Sequence, residues 1–244
     1  MNPQSNTSSK IANPTPGVVT VWSDIACPWA SLALAILADR ASKREVSYVV
    51  DHRAFPLELF NRRATPKSIL DAEVVAIGAL LPSLQWQLWG RPEGSYPVTS
   101  LPALAAVQAA KSDSVGGLGA SMQLDSALRA AFYTDQLCIS MISVIEDVAR
   151  QCTEVDAGAL MDRLSHGAGH TEVFAQWKVA QSDAIQGSPQ LFTASGASVH
   201  NPGVDYHWTA PARQGFPRFE SYDPSWADTM LDAIEDSGSP DSTC

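Results

Sequence analysis

The stretch from Gly17 to Arg44, GVVTVWSDIACPWASLALAILADRASKR, narrows the possible folds of this chain more than any other. Gly17 to Ser23 is short, rich in Val and preceded by Pro16, which is the pattern of a strand. Asp24 to Cys27 makes a turn, and Pro28 opens a run to Arg44 with no internal Gly or Pro. Proline is favoured at the first helical position, so the spacing puts Cys27 at the N-cap. Apolar residues from Trp29 to Ala38 lie nearly all round this helix, which marks it as buried rather than surface-lying. Val46 to Phe55 (VSYVVDHRAF) then reads as a second strand. Strand, helix and strand in such close succession predict a βαβ unit with parallel strands and a right-handed crossover.

The next long stretch is helical. Thr65-Pro66 starts a helix, and Asp71 to Trp89 continues with Pro82 as a break. Further helices are predicted over Leu101 to Ser112, Leu124 to Cys152, Val155 to Ser165 and Thr171 to Ala184. Strand character returns at Gln190 to Thr193 and at Ala197 to His200, around a Ser195-Gly196 turn. Asp223-Pro224 opens a last helix, Ser225 to Glu235. A helical block between a parallel unit and a hairpin is best read as an insertion into one α/β domain. The expected layout is therefore a disordered Ser-, Asn- and Pro-rich leader over 1–16, and an α/β domain built from 17–64 and 185–236. A helical insertion fills 65–184, and 237–244 forms a flexible tail.

Apolar residues make up 45% of the 244, enough for a sizeable core without a metal or disulfide staple. Sixteen Lys and Arg against 26 Asp and Glu give a formal net charge of −10. With no basic cluster beyond Arg62-Arg63, nucleic acid and anionic membrane are poor partners. No apolar run has signal-peptide or membrane-spanning length, so the expected location is the cytoplasm. The four cysteines, Cys27, Cys138, Cys152 and Cys244, form no CxxC pair and no zinc spacing, and no metal site is expected. If Cys138 and Cys152 share one helix, roughly 21 Å of rise separates them and excludes a disulfide. All four are expected as free thiols.

A cysteine at a helix N-cap faces unpaired N–H groups and the positive end of the macrodipole, and both favour thiolate over thiol. The site also lies at the C-terminal end of a parallel strand, where open α/β sheets bind ligands. Asp24 opposes this, since a nearby carboxylate raises a thiol pKa, and a turn or capping role for it reads at least as well. Trp29 reads equally as a rim aromatic over the thiol or as core, and His52 reads as a structural or rim residue.

Asp24-Ile25-Ala26-Cys27-Pro28-Trp29-Ala30, its flanking strand, and Gly187-Ser188-Pro189 before the third strand together resemble the DsbA-like branch of the thioredoxin superfamily. The resemblance covers about Val18 to Glu235. It is greatest to the cytoplasmic, polyketide-associated (FrnE-like) members. It is more distant to 2-hydroxychromene-2-carboxylate isomerases and kappa-class glutathione transferases. The resemblance implies a thioredoxin fold with a large all-helical insertion, Cys27 as the catalytic thiol, and a cis Pro189 beside it. Pro28, Trp29, Ser188 and Pro189 would then contact the substrate or a bound thiol, with Asp24 and His52 at the rim.

Where the dithiol members carry a second cysteine, this chain has Ala30, so no internal CxxC disulfide can form. Three readings follow: a DsbA-like thiol oxidoreductase or isomerase using Cys27 alone on a small-molecule or peptide disulfide; a glutathione-type isomerase or transferase acting on a small aromatic or polyketide-like substrate; or a non-catalytic binding module. No tightly bound cofactor is implied, although glutathione or another small thiol would serve the first two.

Overall fold

The computed structural model describes residues 10–238. Strand β1 (Val18–Ser23) runs through the Asp24–Cys27 turn into helix α1 (Pro28–Arg44) and on to β2 (Val49–Ala54). β1 and β2 pair in parallel, Val18 opposite Val49 and Ser23 opposite Ala54. Helix α1 is buried over most of its circumference, and Glu45 ends it in the left-handed conformation at φ 57°. Seven helices follow: α2 (Leu57–Asn61), α3 (Lys67–Leu80), α4 (Leu101–Ala110), α5 (Gly117–Tyr133), α6 (Ile142–Ala149), α7 (Ala157–Ser165) and α8 (His170–Ala180). The chain then returns to the sheet with β3 (Gln190–Thr193) and β4 (Ser198–His200), forms a separate hairpin of β5 (Val204–Trp208) and β6 (Pro217–Tyr222), and ends in α9 (Trp226–Gly238).

The main sheet has the order β2-β1-β3-β4, with β3 antiparallel to both neighbours. One core cluster, including Val19, Val21, Leu37 and Leu231, joins the sheet to α1 and α9. Another, including Leu124, Leu128, Ile139 and Leu160, fills the helical insertion. The insertion is tied to the edge strand β2 by side-chain amides. Gln176 Oε1 accepts the Ala54 N–H at 2.6 Å, and Gln108 Nε2 donates to His52 O at 2.9 Å. An edge strand presents unpaired backbone groups, and these two glutamines cover them.

Three expectations are corrected. The predicted helix from Leu124 to Cys152 is two helices, α5 and α6, split at Thr134–Met141. Gln136 turns left-handed at φ 55° in this gap, and Ile139 is fully buried there. Cys138 lies in that gap, so the helical-spacing argument against a Cys138–Cys152 bond does not hold. Cys27, Cys138 and Cys152 are nevertheless free thiols, and Cys244 lies outside the described residues.

The leader is also shorter than expected. Residues 10–16 are held to the sheet, because the buried Trp22 indole needs an acceptor and donates to Ile11 O at 2.8 Å. The Asn13 N–H donates to Thr20 Oγ1 at 2.7 Å. Residues 1–9 of the leader and 239–244 of the tail lie outside the described residues, and 237–238 belong to α9.

The third correction is the β5–β6 hairpin, absent from the sequence reading. Its signal was present: Val204, Tyr206 and Trp208 alternate with exposed residues, which is the period of a half-buried strand.

Candidate active site

Cys27 caps α1 with extended backbone (φ −94°, ψ 109°), and Pro28 occupies the first turn. The turn that delivers it is organised by one carboxylate. Asp24 Oδ1 accepts the Ala26 N–H at 2.9 Å, while Oδ2 accepts the Leu57 N–H at 2.8 Å and the Ser100 hydroxyl at 3.1 Å. The Asp24 N–H donates to Ser188 Oγ at 3.0 Å, which draws the loop before β3 against the turn. The Ser188–Pro189 peptide bond is cis. Cys27 Sγ donates to Ser188 O at 3.3 Å. Gly187 leaves this loop room, since a Cβ there would stand 2.7 Å from His200 Nε2.

From below, α5 braces the same turn. Arg129 donates to Asp24 O, Ser31 Oγ, Ser23 Oγ and both oxygens of Asp125, at 2.7–3.2 Å. The Tyr133 hydroxyl donates to Ile25 O at 3.1 Å. From above, the hairpin covers it. Trp29 stacks on Tyr206 of β5 with ring centroids 4.0 Å apart and planes at 15°, and meets Phe219 of β6 edge-on at 5.8 Å. The Trp29 indole donates to Glu73 Oε1 of α3 at 2.9 Å.

Cys27 is consequently only 3% exposed. Burial pushes its thiol up to about 12. The Ser188 side chain and the Ala30 N–H pull it down, and the charges of Glu73 and Asp24 push it further up. A helix N-terminus favours thiolate by a fraction of a pKa unit to about one unit, so desolvation wins here. Burial likewise raises Glu73 to about 7 against the indole hydrogen bond, and raises Asp24 against its three donors. Tyr206 rises to about 12 through burial, with Glu73 and Cys27 adding to it.

The fold thus brings together Cys27, Pro28, Trp29, Ser188 and Pro189. Asp24 is not a rim residue but is 1% exposed beneath the turn, where it acts as a cap. His52 is not at the rim either. At 4% exposure it lies in β2 opposite Val21, with Nε2 3.5 Å from Asp125 Oδ2. The paired register and the α5 carboxylate draw it inward. Sequence reasoning missed Glu73, Arg129 and Tyr206. For Arg129 the signal was Asp125 four residues earlier on one helical face; Glu73 stands in α3 with no local pattern to single it out.

The sheet order, the inserted helices, the capped cysteine and the adjoining Ser188–Pro189 loop define a DsbA-like thioredoxin fold. Solved structures share it. A protein classed as a disulfide isomerase from Nitrosomonas europaea superposes with a TM-score of 0.63 at 13% identity, covering 92% of this chain and 100% of that one. A protein classed as a DsbA oxidoreductase from Streptomyces coelicolor gives 0.61 at 17%, covering 93% and 92%. The cytosolic disulfide reductase DsbM from Pseudomonas aeruginosa, whose structure with GSH is also known, gives 0.53 at 14% in that form, covering 90% and 98%. No family model and no curated protein matches the chain.

Proposed function

We propose that this chain is a DsbA-like thiol–disulfide exchange protein of a reducing compartment such as the cytoplasm, working through Cys27 alone. The observation that carries this reading is a cysteine at a helix N-cap, 3.3 Å from Ser188 O beside Pro189, with alanine at position 30. The chemistry balances without an external oxidant. The Cys27 thiolate attacks a disulfide, forming a mixed disulfide and releasing one partner as thiolate; a second small thiolate then attacks and frees Cys27. The net result is exchange between disulfides. Glutathione disulfide is the natural first substrate to test, and the GSH-bound neighbour of the same fold supports that choice.

Intact-mass analysis after incubation with glutathione disulfide should reveal one adduct, mapped to Cys27 and abolished by Cys27→Ser. Cys138, which is partly exposed, serves as the internal control. Absence of an adduct on Cys27 would overturn this reading.

One observation favours a second: a thiol 3% exposed and held near 12 suits a non-catalytic module that binds partners beside Pro189. The glutathione adduct on wild-type Cys27 separates the two, and the Ala30→Cys variant tests the placing of the thiol. It restores the CxxC spacing at a helix start, and should gain an internal disulfide and catalytic oxidation of reduced dithiols that the wild type lacks. Turnover by the wild type itself would show that a resolving thiol is not needed.

A further inference from the structure

Below the thiol, one face of α1 (Ser31, Leu34, Ala35, Ala38) stands opposite α5 and the edge strand β2. A cavity of about 240 Å³ opens between them, and its lining includes none of Cys27, Ser188 and Pro189. Its walls are apolar and aromatic, from Tyr48, Trp86 and Met122 among others. Its floor is polar: His52, Asp125, Arg129 and Ser31. A concave, mostly apolar pocket with a few convergent polar groups is the usual form of a small-molecule site. The volume falls just under the roughly 300 Å³ at which drug-sized pockets begin, which suits a single ring.

The floor also dictates the ligand's polarity. A guanidinium has five N–H donors. In Arg129 all five are spent: Nε and one Nη2 on Asp125, the other Nη2 on Ser23 Oγ, and Nη1 on Asp24 O and Ser31 Oγ. The Ser31 hydroxyl is in turn committed to Cys27 O at 3.3 Å. An anionic ligand therefore finds no free donor on Arg129 or Ser31 and meets the Asp125 carboxylate beside them; the hydroxyls of Tyr48, Ser126 and Thr134 stand elsewhere on the lining. Acceptors, by contrast, are available. His52 is 4% exposed, and burial holds it neutral at about 4, so the ring carries one N–H and one lone pair. Its Nε2 is the nitrogen near Asp125 Oδ2, and its Nδ1 has no hydrogen-bond partner. Nδ1 is closed to water, so the ring must turn about its Cβ–Cγ bond to meet a ligand.

We propose that the α1–α5 cavity is a binding site for a small neutral aromatic molecule bearing one hydroxyl, which donates to the His52–Asp125 floor. Phenol is the probe. Binding is followed on the Met122 methyl resonance of full-length protein, in the wild type and in Cys27→Ser, so the result stands apart from the thiol chemistry. Phenol should shift Met122 saturably in both proteins, and bind about 5- to 10-fold more tightly than toluene, the worth of one hydrogen bond. Benzoate should not compete. Ala35→Phe, at the half-buried wall, and Ala38→Trp, at the exposed rim, should each abolish the shift while leaving the circular dichroism spectrum unchanged. Equal binding of toluene, competition by benzoate, or a Met122 shift that survives both substitutions would overturn the proposal. So would the absence of any shift.

Discussion

Replacing Arg129 with leucine is expected to cost roughly 3–5 kcal/mol of folding stability, because removing one partner strands a buried charge. Arg129 is 7% exposed and Asp125 2%, so bulk solvent replaces the lost partner poorly. The surface pairs of Arg44 with Asp232 and Glu235 are a useful contrast, since solvent screens exposed pairs and leaves them little net worth. The pH dependence has a definite sign. Burial pushes the Asp125 carboxyl up, but the Arg129 charge and its hydrogen bonds override this, and the folded pKa lies below the ordinary value. A depressed carboxyl contributes stability that is present above the unfolded pKa of about 3.9 and lost as pH falls through the folded one. Without Arg129, burial prevails, the folded pKa rises, and the variant loses stability as pH climbs from about 4. The gap between the two proteins should therefore widen from acid to neutral pH in urea unfolding. Adding Asp125→Asn to Arg129→Leu should recover part of the loss by removing the stranded charge. A neutral-pH deficit under 1 kcal/mol, or one that does not change with pH, would show that the pair is not structural. Because Arg129 also holds Asp24 O, the variant should loosen the Cys27 turn as well.

How much of this was legible beforehand follows the range of each interaction. The βαβ unit, the N-cap at Cys27 and the antiparallel return of β3 and β4 rest on local signals: a Val-rich run, a Pro at the first helical position, a Ser-Gly turn. The buried character of α1 could be read from apolar residues on all sides. The break in the middle of the Leu124–Cys152 run could not, because the sequence there carries no Gly or Pro. The chain is turned by the left-handed Gln136 and by burial of Ile139, which only the packed insertion supplies. For Asp24 the sequence left a capping role beside a rim one, and for His52 a structural role beside a rim one; burial excludes the rim for both. Burial of a carboxylate is tolerable only where three donors converge, and the donors at Leu57 and Ser100 come from distant segments. The same holds for the thiol. The sequence supplies the helix dipole that would acidify Cys27, but the opposing desolvation comes from packing that includes Trp29 against Tyr206 and Phe219, about 180 and 190 residues further on.

That hairpin is where the largest change in reactivity should arise. Trp29 is clamped between Glu73 and the Tyr206 ring, and Gly203 at the hairpin's base has φ +74°. A Cβ on Gly203 would lie 2.4 Å from Asp223 O, so the two ends of the hairpin close tightly on each other. Removing both aromatic contacts with Tyr206→Ala and Phe219→Ala should hydrate Cys27 without touching α1. Its thiol should then fall from about 12 towards the ordinary value near 8.5, because burial is the largest cause of the rise. At neutral pH that change alone raises the thiolate fraction by about three orders of magnitude, and the weaker nucleophilicity of a less basic thiolate returns roughly half of it on a logarithmic scale. The alkylation rate of Cys27 should therefore increase on the order of 10- to 100-fold, with a pH–rate profile whose midpoint moves down. Glu73 should acidify from about 7 in parallel, since the same cover desolvates it. If the double variant alkylates no faster than the wild type while retaining its fold, the hairpin is not the cover on the thiol. If instead the rate rises and glutathione adduct formation rises with it, the aromatic cover limits the chemistry of Cys27. A partner that lifts the hairpin would then switch the site on.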